Sequence, residues 1–129
     1  QVLIMAAAVA DFTPAQVSLE KIKKESGELV LKLGKTEDIL SSVKGDFIRV
    51  GFAAESENLE EEALRKLRSK NLDLIVANDI TSPNSGFGVD TNQVIIIDKK
   101  GQKENLPLML KTELADKILD RVVALISAK

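Results

Sequence analysis

A chain of 129 residues suits one domain or one part of a larger one, and 44% hydrophobic with 29% charged residues is the composition of a globular protein. With 3% aromatics its core must be aliphatic, and with no Cys and no His it excludes thiol nucleophiles, Cys/His zinc sites and a His general base within this stretch. A net charge of -2 gives no general affinity for nucleic acid, and no apolar run approaches the roughly 18 residues of a membrane span, so a cytoplasmic protein without nucleic-acid or membrane partners is expected.

The first residue, Gln1, runs directly into Val2-Leu3-Ile4-Met5 without an initiator Met or a lead-in, as expected for a segment of a longer protein. Val2 to Ala7 is a continuous apolar run, the pattern of a parallel strand covered on both faces. It fades into Ala6-Ala7-Ala8-Val9-Ala10 and stops at Asp11 to Pro14. Residues 21 to 33, KIKKESGELVLKL, read as two short alternating strands around Ser26-Gly27, a hairpin arm with Leu29, Leu31 and Leu33 on one face. Thr36 is placed to cap a short helix over Glu37 to Val43.

A strand follows over 47 to 55, FIRVGFAAE. Ser56 then reads as the N-cap of a helix running to about Lys70, with Glu57, Glu60, Glu61 and Glu62 at its start and Arg65, Lys66, Arg68 and Lys70 at its end. Leu59, Ala63, Leu64 and Leu67 form its apolar stripe. Residues 72 to 79, LDLIVAND, read as a buried strand, and Thr81 to Thr91, with Pro83, Gly86 and Gly88, as a loop. QVIIID, residues 93 to 98, is a strand that turns through Lys99 to Gly101 toward LPLML, residues 106 to 110. A last helix from Thr112 to about Ser127 buries Leu114, Ile118, Leu119, Val122 and Ile126.

Strands alternating with helices imply an α/β fold with an open, Rossmann-like, mostly parallel sheet flanked by helices, and the hairpin arm projects from it. Ligands of such sheets bind beyond the carboxyl ends of the strands, which puts Ala6 to Asp11, Gly51 to Glu55 and Ala77 to Asp79 on one rim. Small residues there let a flat or charged ligand approach the backbone, although alanines also permit close helix packing. Asp11 either holds a metal or ligand hydroxyl or caps a turn. The lysines of KIKK (Lys21, Lys23, Lys24) either bind an anion or protect a sheet edge, and Lys66 and Lys70 either bind phosphate or complement the helix dipole. Phe52 is either core or a stacking platform, and Glu55 is placed to serve the next helix N-terminus. GFGVDTN matches neither GxGxxG nor a Walker A loop, which disfavours a dinucleotide-dependent dehydrogenase. The residues by themselves lead to an α/β domain with a polar rim that binds a nucleotide or another anion.

AAAVADFTP followed by KIKK, then VGFAAESENLEEEALRKLRSKNLDLIVAND, GFGVDTNQVIIID and LPLMLKTELADKIL, in that order over nearly all 129 residues, resembles the C-terminal part of bacterial phosphopantothenate–cysteine ligase. That ligase is the synthetase half of a bifunctional flavoprotein of coenzyme A biosynthesis. The resemblance implies CTP-dependent, Mg2+-assisted joining of L-cysteine to 4'-phosphopantothenate through an acyl-cytidylate. It further implies that the domain's glycine-rich N-terminal portion and an FMN-dependent decarboxylase domain stand outside residues 1 to 129. The segment alone is then expected to be inactive.

Carried over by position, Met5, Ala6 and Ala7 lie along CTP, Asp11 contacts the nucleotide or its metal, and Lys21 contacts base or triphosphate and is the catalytic candidate. Glu37, Asp38, Ile39 and Leu40 match the family's segment beside the nucleotide, which commonly reads Pro-Asp where this chain has Glu37-Asp38. Phe52, Lys66 and Lys70 match further nucleotide-binding positions. A homodimer through synthetase domains is implied, with the Lys21 to Leu33 arm and the Val94 to Leu108 hairpin contributing, and a higher oligomer when fused to the flavoprotein domain. The competing reading is a noncatalytic nucleotide-binding or dimerisation module.

Overall fold

The computed structural model describes residues 1–22, 27–82, 84–85 and 88–128. Lys23, Lys24, Ser26, Pro83 and Gly86, used in the sequence reading, lie outside the described residues. The chain divides into two compact units, one of Gln1–Ala6 with Lys44–Lys129 and one of Ala7–Val43.

The larger unit is a five-stranded sheet carrying two helices. Its strands are β1 (Val2–Met5), β4 (Ile48–Glu55), β5 (Leu74–Asp79), β6 (Thr91–Asp98) and β7 (Lys103–Leu110), in that spatial order. β1, β4 and β5 are parallel, whereas β6 and β7 return antiparallel. The α/β fold and its open sheet thus match the sequence expectation, with a parallel part at the candidate rim and a hairpin finishing the far edge. Gly101, at φ +83, makes the β6–β7 turn in a conformation that other L residues adopt only with strain. Pro107 sits on β7, where an edge strand tolerates a missing N–H, and the ladder shifts register between Asn92 and Val94.

Alternation along the strands sends side chains to two faces. Ile48, Val50, Leu74, Val76, Val94, Ile96 and Leu106 form one core layer with Leu114, Ile118 and Val122 of α3 (Lys111–Ser127). The opposite face carries α2 (Leu59–Ser69), whose Ala63 and Leu67 are buried. Ala53, Ala63 and Ala77 are all nearly inaccessible, so two of the rim alanines serve close packing of α2 on β4 and β5. At the other end of these strands the Asp73 side chain accepts from the Arg49 amide through Oδ2, and the Arg49 guanidinium lies 4.4 Å from the Phe47 ring centre.

Several expectations need correction here. β1 is an edge strand ending at Met5, and Val2 and Ile4 are about two-fifths exposed, because β1 has a neighbour on one side only among the described residues. Ser56 does not cap α2; Asn58 does, in the left-handed region at φ 48 and without a side-chain bond to the helix. Glu57 therefore precedes the helix. In α3, Leu119 and Ile126 are about half exposed, since the stripe that meets the sheet runs through Leu114, Ile118 and Val122. The strands of the sheet otherwise lie within two residues of the expected bounds, apart from β7, which starts three residues earlier, at Lys103.

The smaller unit pairs β2 (Phe12–Pro14) with β3 (Leu33–Lys35) in antiparallel register, Phe12 opposite Lys35 and Pro14 opposite Leu33. This moves the arm's pairing away from the expected turn at Ser26-Gly27. Residues 28 to 32 carry no strand, and Leu29, Val30 and Leu31 are all exposed. The alternation misled because a period of two needs a partner strand before it becomes a ladder. The Ala15 amide donates to the Lys32 carbonyl and extends the pairing by one bond. A four-residue helix, α1 (Ile39–Ser42), closes the unit. Its N-cap is Asp38, whose Oδ1 accepts from the Ser41 amide at 3.2 Å. Thr36 instead ties the two branches: its amide donates to the Asp11 carbonyl and its hydroxyl to the Ala10 carbonyl.

Candidate functional site

Parallel pairing brings the carboxyl ends of β1, β4 and β5 to one edge of the larger unit. Met5 is level with Gly51, Ala53 with Ala77 and Glu55 with Asp79. Because β1 stops beside Gly51, the last four residues of β4 extend past it, and the Phe52 side chain is 41% exposed. Phe52 therefore does not join the core, and a ring at an open strand end is available for stacking. Met5 is half-buried and Ala6 exposed.

On the α2 face of the same edge, Lys66 Nζ lies 2.6 Å from Glu55 Oε1. That oxygen is closed to solvent and receives no well-aligned hydrogen bond, so the contact is one of charge. Glu55 thus does not serve the α2 N-terminus, as its place in the sequence suggests. Helical side chains lean toward the helix N-terminus, which lets Lys66, two turns into α2, reach back to the end of β4. Lys70 is the C-cap of α2, half-buried, its amide bonded to the Lys66 carbonyl. Arg65 is held by Glu62 at 2.7 Å on the solvent side; this hydrogen bond keeps the Glu62 carboxyl below its ordinary range and raises the Arg65 guanidinium.

Asp79 is level with Glu55 but differently engaged. Its Oδ1 accepts from the Thr81 amide at 2.7 Å and from the Thr81 hydroxyl at 2.6 Å. These bonds from Thr81 lower its pKa, so the carboxylate is committed to the turn after β5. Past this turn Ser85 is buried and donates to Asn92 Oδ1, and Thr91 donates to the Asn84 carbonyl, fixing the return into β6. A small pocket of about 100 Å3, lined by Leu74, Asp98, Glu104 and Arg121 among others, lies at the opposite ends of these strands and does not include the rim residues.

The remaining candidates belong to the smaller unit. Ala7, Asp11 and Lys21 are exposed, and the Asp11 carbonyl is engaged by Thr36. Glu37 and Ile39 are exposed, whereas the Leu40 side chain is buried. The Asp38 carboxylate occupies the N-terminus of α1, which removes the Ser41 amide from those open to an outside anion. Among the described residues no group of three or more Asp, Glu, His or Cys is placed to hold a metal ion. A lone carboxylate such as Asp11 fits a Mg2+ that arrives on substrate phosphates, which uses one or two protein carboxylates, and does not fit a dedicated metal centre.

The larger unit carries Met5, Ala6, Phe52, Lys66 and Lys70; Ala7, Asp11, Lys21 and Glu37 to Leu40 are carried by the smaller. Sequence reasoning missed two contacts at the rim, the hold of Glu55 on Lys66 and the engagement of Asp79 by Thr81. The second has a local signal, an Asp two residues before a Thr in a turn. The first has none, because eleven positions separate residues that only the β4–α2 turn brings together.

Among the described residues no helix is long and apolar enough to cross a membrane. Residues 1–126 match the family model described as the DNA/pantothenate metabolism flavoprotein C-terminal domain. The coenzyme A biosynthesis bifunctional protein CoaBC of Bacillus subtilis (strain 168) is 48% identical over 127 residues, covering 96% of this chain and 31% of the relative. A cysteine/cysteine sulfinic acid decarboxylase from an unknown prokaryotic organism is 43% identical over 129 residues, covering 97% of this chain and 36% of its own length. The crystal structure of the C-terminal domain of a CoaBC protein superposes with a TM-score of 0.76 at 35% identity, covering 99% of this chain and 56% of that one. The chain thus spans about a third of the length of the curated relatives it matches. With the family model matched from end to end of the sheet, the chain belongs to the DNA/pantothenate metabolism flavoprotein C-terminal domain family.

Proposed function

We propose that this chain is the C-terminal part of a CTP-dependent phosphopantothenate–cysteine ligase of coenzyme A biosynthesis. The observation that carries the reading is the family match over residues 1–126, supported by relatives named as coenzyme A biosynthesis bifunctional proteins. In the reaction, a carboxylate oxygen of 4'-phosphopantothenate attacks the α-phosphorus of CTP and pyrophosphate leaves. The amine of L-cysteine then attacks the acyl carbon of the acyl-cytidylate, an amide forms, and CMP departs. Such transfers depend on positioning and charge neutralisation more than on acid–base groups, in keeping with a chain that has no His and no Cys.

The roles follow the residue chemistry. Lys21, Lys66 and Lys70 neutralise phosphate oxygens as point charges. Asp11 takes the Mg2+ that accompanies the triphosphate, and that ion supplies further charge neutralisation when bound. Phe52 stacks on a ring, and the backbone around Met5, Ala6 and Ala7 and at Glu37 to Leu40 reads the nucleotide. A homodimer belongs to the same proposal: the smaller unit leaves Val17, Leu19 and Val30 more than four-fifths exposed, more apolar surface than a short two-stranded arm covers by itself. FMN chemistry, where the parent chain carries it, falls outside these residues.

The test is pyrophosphate release by the full-length protein that carries this chain. The proposal expects release that requires CTP, 4'-phosphopantothenate and Mg2+, with phosphopantothenoylcysteine formed once L-cysteine is added, and loss of turnover on Lys21→Ala with the fold intact. Full activity in the Lys21→Ala and Asp11→Ala variants would contradict the residue assignment, and a folded enzyme that forms no product would contradict the ligase itself.

A further inference from the structure

The pair formed by Glu55 and Lys66 is built in a way that helix docking alone does not require. α2 is already seated on the sheet through Ala63 and Leu67, both almost wholly buried, so the ion pair adds little that packing has not supplied. Half-buried ion pairs contribute little net stability, because desolvation offsets the attraction. Fixing a lysine also costs more side-chain entropy than fixing most residues. What the contact does deliver is a fixed place for the ammonium group. Glu55 Oε1 is shut off from water and has Lys66 Nζ at 2.6 Å, so moving the lysine away would strand a buried carboxylate oxygen. The Lys66 side chain nevertheless remains 31% exposed. An ammonium has three N–H donors, and the side facing Glu55 uses only part of its hydrogen-bonding capacity. The rest is not taken up by Glu55, and the partly exposed side chain leaves it open to solvent on the α2 face of the sheet, near the carboxyl end of β4.

We infer that Glu55 is a positioning residue: it pins Lys66 at the strand-end rim so that the same ammonium bridges the buried carboxylate and a phosphate oxygen of the bound nucleotide. The inference rests on the nucleotide reading of Lys66 given above. Its logic is preorganisation. A lysine held by a carboxylate meets the anion without first losing rotamer freedom, and this gain outweighs the partial neutralisation of its charge. Protein kinases use a Lys–Glu pair in this manner to keep a phosphate-binding lysine in place.

The experiment measures CTP dependence in the full-length ligase for the wild type, Glu55→Gln, Lys66→Met and the double variant, with Glu55→Asp as a second probe that keeps the charge on a shorter arm. Glu55→Gln is expected to raise KM for CTP about three- to tenfold with kcat nearly unchanged, the signature of lost uniform binding. Glu55→Asp falls between the two. The double variant binds CTP no worse than Lys66→Met, because Glu55 acts through the lysine. CTP binding by Glu55→Gln that equals or exceeds the wild type would overturn the inference, as would a penalty that adds in full to that of Lys66→Met. A lowered Tm with KM in place would reduce the pair to a structural tie. If Lys66→Met itself leaves KM unchanged, the nucleotide reading of that lysine falls together with the inference, whereas an effect of Lys66→Met without one of Glu55→Gln removes the inference alone.

Discussion

Asp79 and Glu55 stand level on neighbouring strands, yet Thr81 holds the first and Lys66 is held by the second. The difference has a pH signature. Bonds from Thr81 depress the Asp79 pKa below the ordinary 3.8, so its contribution to stability is present above the unfolded value and is lost as pH falls through the folded one. A Tm gap between the wild type and Asp79→Asn is therefore expected at about neutral pH and should close on acidification below 3.8; a gap that stays constant to lower pH would deny the carboxylate this role. In the core the controlling term is volume. Leu74 is 2% exposed within the layer facing α3, and Leu74→Ala should cost about 2–5 kcal/mol in urea unfolding.

At the scale of elements, β4, β5 and α2 were legible because each carries an unbroken signal: apolar runs for the strands, and an acidic start with a basic finish for the helix. Their ends were less so. Asn58 takes the cap in a left-handed conformation that Ser56, two positions earlier, does not need to adopt, and nothing in the composition separates these two polar residues. β1 reads as covered on both faces because hydrophobicity records what a strand can bury, whereas exposure of Val2 and Ile4 records which neighbours are present. The arm was found as a feature and misplaced in register, since Phe12 to Pro14 offers only three residues and one of them is proline. Of the candidate site, the strand-end rim was legible from topology, and the Glu55–Lys66 contact was not, because it depends on the path between β4 and α2. Two substitutions test these elements. Gly101→Ala should cost about 1 kcal/mol or more through its left-handed φ, read as a lower midpoint with an unchanged slope in denaturant. Ala63→Leu, which forces a larger side chain between α2 and the sheet, should cost about 1–3 kcal/mol in the same assay.

For the whole molecule, the proposed reading draws ligand contacts from both units, the rim of the larger and Asp11 and Lys21 of the smaller, and assigns association to the exposed apolar side chains of the smaller. Replacing Val17 and Leu19 with Ser should shift the full-length protein toward smaller species in sedimentation equilibrium; an unchanged mass would remove these two side chains from the dimer interface. The central claim, that these residues serve a CTP-dependent ligase, is tested most directly by calorimetric titration of CTP and of ATP, each with Mg2+, into the full-length protein and its Lys21→Ala variant. The account predicts binding selective for CTP and weakened by about tenfold when the lysine's charge-assisted contact is removed. Equal affinity for both nucleotides, or the same CTP affinity in the variant, would contradict it.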